Sequence, residues 1–313
     1  MSIAEPLPVS IGPDRIAIMT IGPNQGPMTV LDESLILRLE AALKALPPSL
    51  AGFILASGSS RVFIAGADLK AIEAMGHDEL DRYLSLGQRV FGLIAKLNCP
   101  TVAAINGAAL GGGLELAMHC DALIAAPAAP RDGQPAKPYP IGLPEAGLSI
   151  CPGWGGTNLL PARMDPIDAI RRTCVGKPMS LDEAHAAGLL DALAPAAEAL
   201  MQTCTAWIAA NPRAHEGRRD GAPLRWIGRD TQGQTGRRAA VLAAIDQAAA
   251  EFTGNDPAQA CIRACKAGMA ASWASALDVE RVELNRLRAE PAGKAAIRAF
   301  FEKSAKKENP TGR

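Results

Sequence analysis

Short apolar runs alternate with amphipathic ones along the first 126 residues. RIAIMTI (15–21), GFILASG (52–58), RVFIAG (61–66) and DALIAA (121–126) have the length and branching of strands. PTVAAIN (100–106) is almost wholly apolar, which predicts a strand covered on both faces. Between them, apolar residues recur at helical spacing over 32–46, introduced by Asp32, and over DELDRYLSLGQRVFGLIAKL (78–97). ADLKAIEAM and LELAMHC read as shorter helices. PAAPRDGQPAKPYP (127–140) breaks the rhythm with five prolines and mixed charges, as an exposed loop or insertion would. IGLPEAGLSICPGWGGTNLLPARM follows, then helices near 165–175 and 180–189, the second with Ser180 and Glu183 spaced as a capping box. From about 196 the strand pattern stops. Helices are expected over 196–210, 236–253, 257–275, 278–289 and 292–305, with a polar Gly/Arg-rich loop at 211–236. The pattern predicts an α/β core followed by a helical C-terminal region.

Composition narrows the function classes. The chain has 313 residues, 48% hydrophobic and 20% charged, enough apolar material for a sizeable core. Its 32 basic and 32 acidic side chains cancel, so the electrostatic footprint of a nucleic-acid or anionic-membrane binder is missing. MSIAEPLPVS lacks the basic and apolar regions of a signal peptide, and no run approaches the roughly 18 apolar residues of a membrane span. The seven cysteines are scattered without a CxxC pair, the usage of free thiols in a reducing compartment. A cytoplasmic location is expected.

Two stretches join backbone freedom to a polar demand: FIAGADLK (63–70) and GAALGGGLELA (107–117). In each, a glycine-bearing extended segment turns into a helix, whose first amides have no intrahelical acceptor. Either could be an ordinary strand-to-helix turn. Two such amides converging on one point would form an oxyanion hole. Glu115 stands in the first helical turn after the glycines, flanked by Leu114, Leu116, Ala117 and Met118, and Glu145 lies in the apolar, glycine-rich LPEAGLSICPG. Two carboxylates in a low-dielectric site can divide acid and base duties, because burial and repulsion raise at least one pKa. The set suits addition of water across a double bond conjugated to a carbonyl.

AGADLK (65–70), CPTVAAINGAALGGGLELAMHCD (99–121) and LPEAGLSICPGWGGTNLLPARM (143–164) make the chain resemble the enoyl-CoA hydratase (crotonase) family. With GKPMSLDEAHAAGLLDAL (176–193), the likeness is to the hydratase half of bacterial multifunctional fatty-acid oxidation proteins, over roughly 14–200. LDVERVELNRLRAEPAGKAAIRAFFEKSAKK resembles the region that leads towards their dehydrogenase half, but no GxGxxG fingerprint follows. The resemblance implies a spiral of ββα units, with a catalytic core over 1–200 and a helical region over 201–313 for oligomerisation and active-site cover. It further implies an acyl-CoA thioester as substrate, CoA being part of that substrate, no metal or redox cofactor, and a homotrimer or hexamer. Whether a separate dehydrogenase docks is left open.

Carried over residue by residue, the resemblance puts the amides of Ala67 and Gly112 on the thioester oxygen and Glu115 and Glu145 at the two catalytic glutamate positions. The first orients and activates water; the second exchanges the proton at the α carbon. Ala65, Gly66, Asp68, Leu69 and Lys70 in the first block, Gly111 in the second, and Pro152, Gly153 and Trp154 in the third are assigned to substrate binding. Two glutamates favour hydration without excluding Δ3,Δ2-enoyl-CoA isomerisation, and a non-catalytic acyl-CoA-binding homologue is the third reading. Individual residues keep plainer alternatives. Asp68 also reads as a helix cap, and Lys70 as a solvated lysine instead of a CoA neighbour. Trp154 either narrows the acyl pocket or packs against a helix start. His119 and Cys151 fit core packing, and the Cys261/Cys265 pair lacks further ligands for a metal. The 127–138 segment is long enough to cover the mouth in part or to touch a subunit.

Overall fold

A computed structural model describes residues 5–24, 28–59, 61–130, 137–218, 222–230 and 233–308. The apolar runs form strands as their composition requires. β1 (Val9–Ile11), β2 (Ile16–Ile21), β3 (Gly52–Ser57), β5 (Thr101–Ile105), β7 (Ala122–Ala125) and β9 (Ala192–Leu193) make one sheet in the order β1-β2-β3-β5-β7-β9. All its neighbours are parallel except β1 with β2. Every residue of β5 is buried, so the run at 100–106 is covered on both faces as expected. β4 (Val62–Ile64), β6 (Ala108–Leu110) and β8 (Ile141–Gly142) form a second, smaller parallel sheet in the order β4-β6-β8.

The two sheets interleave along the chain. Each of β3, β5 and β7 is followed by one strand of the small sheet and then by a helical segment: Leu69–Ala74, Gly112–Met118 and the 3₁₀ turn Glu145–Leu148. This is the spiral of ββα units that the resemblance implies. Because β4, β6 and β8 lie side by side, the residues leaving their C-terminal ends also lie side by side. Segments some 40 residues apart in sequence are thus delivered to one place.

Local chemistry sets the element ends. Asp32 caps Glu33–Lys44 by accepting from the Leu35 amide at 2.7 Å, and Ser180 and Glu183 form the expected capping box. That second helix stops at Ala186 and not at 189; Gly188, at φ +80°, turns the chain out. A helix over Gly156–Arg163 was not expected from GGTNLLPARM. Its interior Pro161 lacks an N–H, which frees the Thr157 carbonyl, and the Cys265 thiol donates to that oxygen at 3.1 Å.

Beyond β9 no described residue lies in a strand, as expected from about 196, with two corrections. The break expected between 275 and 278 falls at Ser272, which caps Trp273–Ala289 by accepting from the Ser275 amide, so the preceding helix is Asp256–Ala270. The described part of the 211–236 segment is not a solvated loop. Trp226 and Ile227 are buried, and Arg218 is buried against Asp121, donating also to the carbonyls of Ile94, Ala95, Leu97 and Cys99. Helix Trp273–Ala289 packs on His77–Ala95 and on Asp256–Ala270. Helix Pro291–Glu308 lies over Leu69–Ala74 and the Glu145–Leu148 turn. Within the 127–138 segment, residues 131–136 lie outside the described residues.

Candidate active site

The ends of β4, β6 and β8 open onto a cavity of about 60 Å³. The first segment contributes Ala65, Gly66, Ala67 and Leu69 to its wall, and the second Gly111, Gly112 and Glu115. The third brings Glu145, Gly153 and Trp154. Ile72, Leu84, Leu148, Ile150 and Leu284 complete an apolar lining, Leu284 arriving from the C-terminal helices. Most residues assigned to the site from sequence therefore meet in one place. Three do not line it: Pro152 is buried behind the wall, Asp68 caps Leu69–Ala74 by accepting from the amides of Lys70 and Ala71, and Lys70 is exposed with its ammonium 5.6 Å from the centre of the Phe301 ring.

The three consecutive glycines each answer a close approach. Gly111, at φ +51° and ψ −128°, adopts a backbone that a side chain strongly disfavours, and a Cβ there would come 2.5 Å from Glu145 Oε1. A Cβ on Gly112 would collide with the Trp154 ring, and one on Gly113 with the backbone of Ile64 in β4. Glycine thus lets the Gly112–Met118 helix start against the small sheet, with its first amide at the cavity. Among the described residues no turn or cap hydrogen bond uses the amide of Ala67 or of Gly112.

Glu115 is buried, 1% exposed, and its Oε1 accepts from the amides of Trp154 and Gly156, both at 2.8 Å. Burial, then the charges of Glu280 and Glu145, hold its carboxyl well above the ordinary carboxylate range, against those two amides. Glu145 keeps a buried Oε2 without a hydrogen-bond partner, and burial raises its pKa to about 8. Burial favours the proton on both acids, and they differ in geometry: Glu115 is anchored by two amide donors that favour its ionised form, while Glu145 is unanchored at one oxygen.

A third acid went unnoticed in the sequence. Glu280, on Trp273–Ala289, is fully buried. Its Oε2 accepts from the Gly155 amide at 2.5 Å, and its Oε1 from the Thr157 amide at 2.9 Å and the Thr157 hydroxyl at 2.5 Å. Burial raises its pKa to about 7, against those donors. The signal was available: Glu280 follows Ala276 and precedes Leu284 at one-turn spacing on the buried side of that helix, which also holds Asn285, Leu287 and Arg288, and a buried glutamate needs partners.

The remaining candidates stay in the core. His119 Nδ1 donates to the Glu115 carbonyl at 2.8 Å, and the ring meets Phe91 and Trp273 edge-on and does not line the cavity. Cys151 donates weakly to the Glu280 carbonyl at 3.7 Å. Trp154 packs against the helix start, its ring on Gly112, Tyr83 and Phe91 and its Nε1 donating to the Leu84 carbonyl at 3.0 Å, and it also lines the cavity.

Comparison with known proteins agrees with this geometry. Residues 14–215 match the family model described as enoyl-CoA hydratase/isomerase. The chain is 31% identical over 306 residues to a fatty acid oxidation complex subunit alpha of Shewanella amazonensis, covering 96% of this chain and 41% of that protein. It is 35% identical over 180 residues to a crotonyl-CoA hydratase of Syntrophomonas wolfei, covering 57% of this chain and 65% of that one. It therefore spans less than two thirds of the length of either relative. Among solved structures, a human mitochondrial delta3-delta2-enoyl-CoA isomerase superposes with a TM-score of 0.66 at 20% identity, covering 97% of this chain and 99% of the other. An enoyl-CoA hydratase from Rhodobacter sphaeroides gives 0.66 at 19% identity, with 96% and 90% covered. These likenesses show the crotonase fold. By the match over most of its length, the chain belongs to the enoyl-CoA hydratase/isomerase family.

Proposed function

We propose that the chain catalyses reversible hydration of a trans-2-enoyl-CoA to a 3-hydroxyacyl-CoA. The observation that carries this reading is two glutamates of unlike environment facing one apolar cavity beside two unspent amides. The thioester oxygen accepts from the Ala67 and Gly112 amides, which stabilise the enolate-like charge as it develops. Glu115, fixed through Oε1, acts in its ionised form, which the Trp154 and Gly156 amides favour against burial, and takes a proton from water as the oxygen bonds to the β carbon. Glu145, held protonated by its surroundings, gives its proton to the α carbon. Water is thereby added across the double bond with no change of oxidation level. The reading uses no metal or redox cofactor, and CoA enters as part of the substrate.

Δ3,Δ2-isomerisation needs one group to move a proton along the chain, which the unanchored Glu145 carboxyl can do. Glu115, with its two amide donors, has no task in that reaction, which favours hydration as the main activity. Supplying a 3-enoyl-CoA and a 2-enoyl-CoA separately tests the choice by product analysis. The hydratase reading requires 3-hydroxyacyl-CoA from the conjugated substrate; a conjugated product from the 3-enoyl substrate with no hydration would refute it.

The reading extends to the setting of the site. A core over 1–200 is covered by the helical region of 201–313, and that region also carries homotrimer or hexamer formation. Among the described residues no helix is long and apolar enough to cross a membrane; cytoplasmic residence remains part of the proposal.

A further inference from the structure

Glu280 lies 165 positions after Glu115 in sequence, yet the two carboxylates divide one short backbone segment between them. Going along the chain, the amide of Trp154 goes to Glu115, that of Gly155 to Glu280, that of Gly156 to Glu115 and that of Thr157 to Glu280. These are the residues that open the Gly156–Arg163 helix, whose first amides have no acceptor within the helix. Gly155, at φ +106°, makes the reversal that points successive amides to opposite sides. A buried carboxylate is costly without donors, and Glu280 has three. Glu280 is not among the residues that line the cavity.

We propose that Glu280 is a positioning residue for Glu115: by fixing the Gly155 and Thr157 amides it aims the Trp154 and Gly156 amides at the Glu115 carboxylate. The C-terminal helix Trp273–Ala289 thereby completes a site otherwise built by the ββα spiral. The second effect is electrostatic. A carboxylate behind Glu115 opposes the ionisation of Glu115 and so makes it a better acceptor for the proton of water. Glu145 acts in the same sense from the cavity side. The titratable groups set against Glu280 are the carboxyls of Glu115 and Glu145, which repel its charge, and the thiols of Cys151, Cys261 and Cys265; its charge is met by the Gly155 and Thr157 amides and the Thr157 hydroxyl.

The assignment rests on the hydratase reading, so the wild-type chain is first assayed with crotonyl-CoA. Glu280→Gln then presents an NH₂ to an amide donor in place of one oxygen. The expected result is a kcat lowered about 10- to 100-fold through misplacement of Glu115, with KM within about twofold. In a Glu115→Gln background, Glu280→Gln should cost nothing further, because its effect runs through Glu115. Thr157→Val removes one donor to Glu280 and no contact to Glu115; a kcat loss of about threefold is expected, and this variant decides if Glu280→Gln fails to fold. Wild-type kcat in Glu280→Gln, or an equal loss with and without Glu115, would overturn the assignment while leaving the hydratase reading intact. A wild-type chain inert on 2-enoyl-CoA substrates would overturn the reading and the assignment together.

Discussion

Replacing Gly111 with alanine should silence the enzyme without unfolding it. The added Cβ would lie 2.5 Å from Glu145 Oε1 and 3.4 Å from its Cδ, and its next neighbour, Pro144 Cδ, is at an ordinary 3.9 Å. The group that must give way is the free end of a flexible side chain, so the clash is relieved by swinging the Glu145 carboxyl away. The backbone at φ +51° and ψ −128° adds strain of about 1–3 kcal/mol. A displacement near 1 Å at a reacting group costs about 10²-fold in rate. The assay is loss of conjugated-thioester absorbance with crotonyl-CoA, giving kcat and KM, beside urea unfolding of the same preparation. The comparison variant is Gly217→Ala, a glycine outside the cavity wall whose Cβ would meet only the flexible end of Leu224 at 2.7 Å and no carboxylate. It should keep most of its kcat. Gly111→Ala with wild-type kcat, or with activity lost only in proportion to the unfolded fraction, would refute the reasoning.

Arg218→Met leaves the buried Asp121 carboxylate without its guanidinium and should cost about 3–5 kcal/mol in urea unfolding; a change under about 1 kcal/mol would mean the pair is not a structural tie. His119 is pushed down to about 4 from 6.5 by burial, so between those values the unfolded chain binds a proton that the native chain refuses. That component of stability is complete above 6.5 and falls as pH drops, by about 2 kcal/mol at about pH 5, and His119→Leu should remove it from the pH dependence of unfolding. Trp154→Ala should lower stability by about 3–5 kcal/mol and raise kcat/KM for longer 2-enoyl-CoA chains relative to crotonyl-CoA; an unchanged ratio would leave the indole a purely packing role.

The legible parts of this molecule were those dictated by local physics. Strand runs such as PTVAAIN, the Asp32 and Asp68 caps and the Ser180–Glu183 box were readable because each depends on neighbours in sequence. The strands Ala108–Leu110 and Ile141–Gly142 were not, being too short to show a period, although they bring Gly112 and Glu145 together. Glycines 111–113 signalled a backbone demand, but only the structure shows what approaches each: a carboxylate, an indole and a strand. Arg218 sits among polar residues in sequence, and nothing local says that it enters the core to meet Asp121. Glu280 was legible in principle, as an acid one turn from both Ala276 and Leu284, but its partners lie on a helix that the sequence did not announce.

The most direct test of the account is crotonyl-CoA turnover by the purified chain beside a Glu145→Gln variant. The account predicts loss of conjugated-thioester absorbance with formation of 3-hydroxybutyryl-CoA by the wild type, and no turnover by the folded variant. Equal hydration by the two proteins would contradict it.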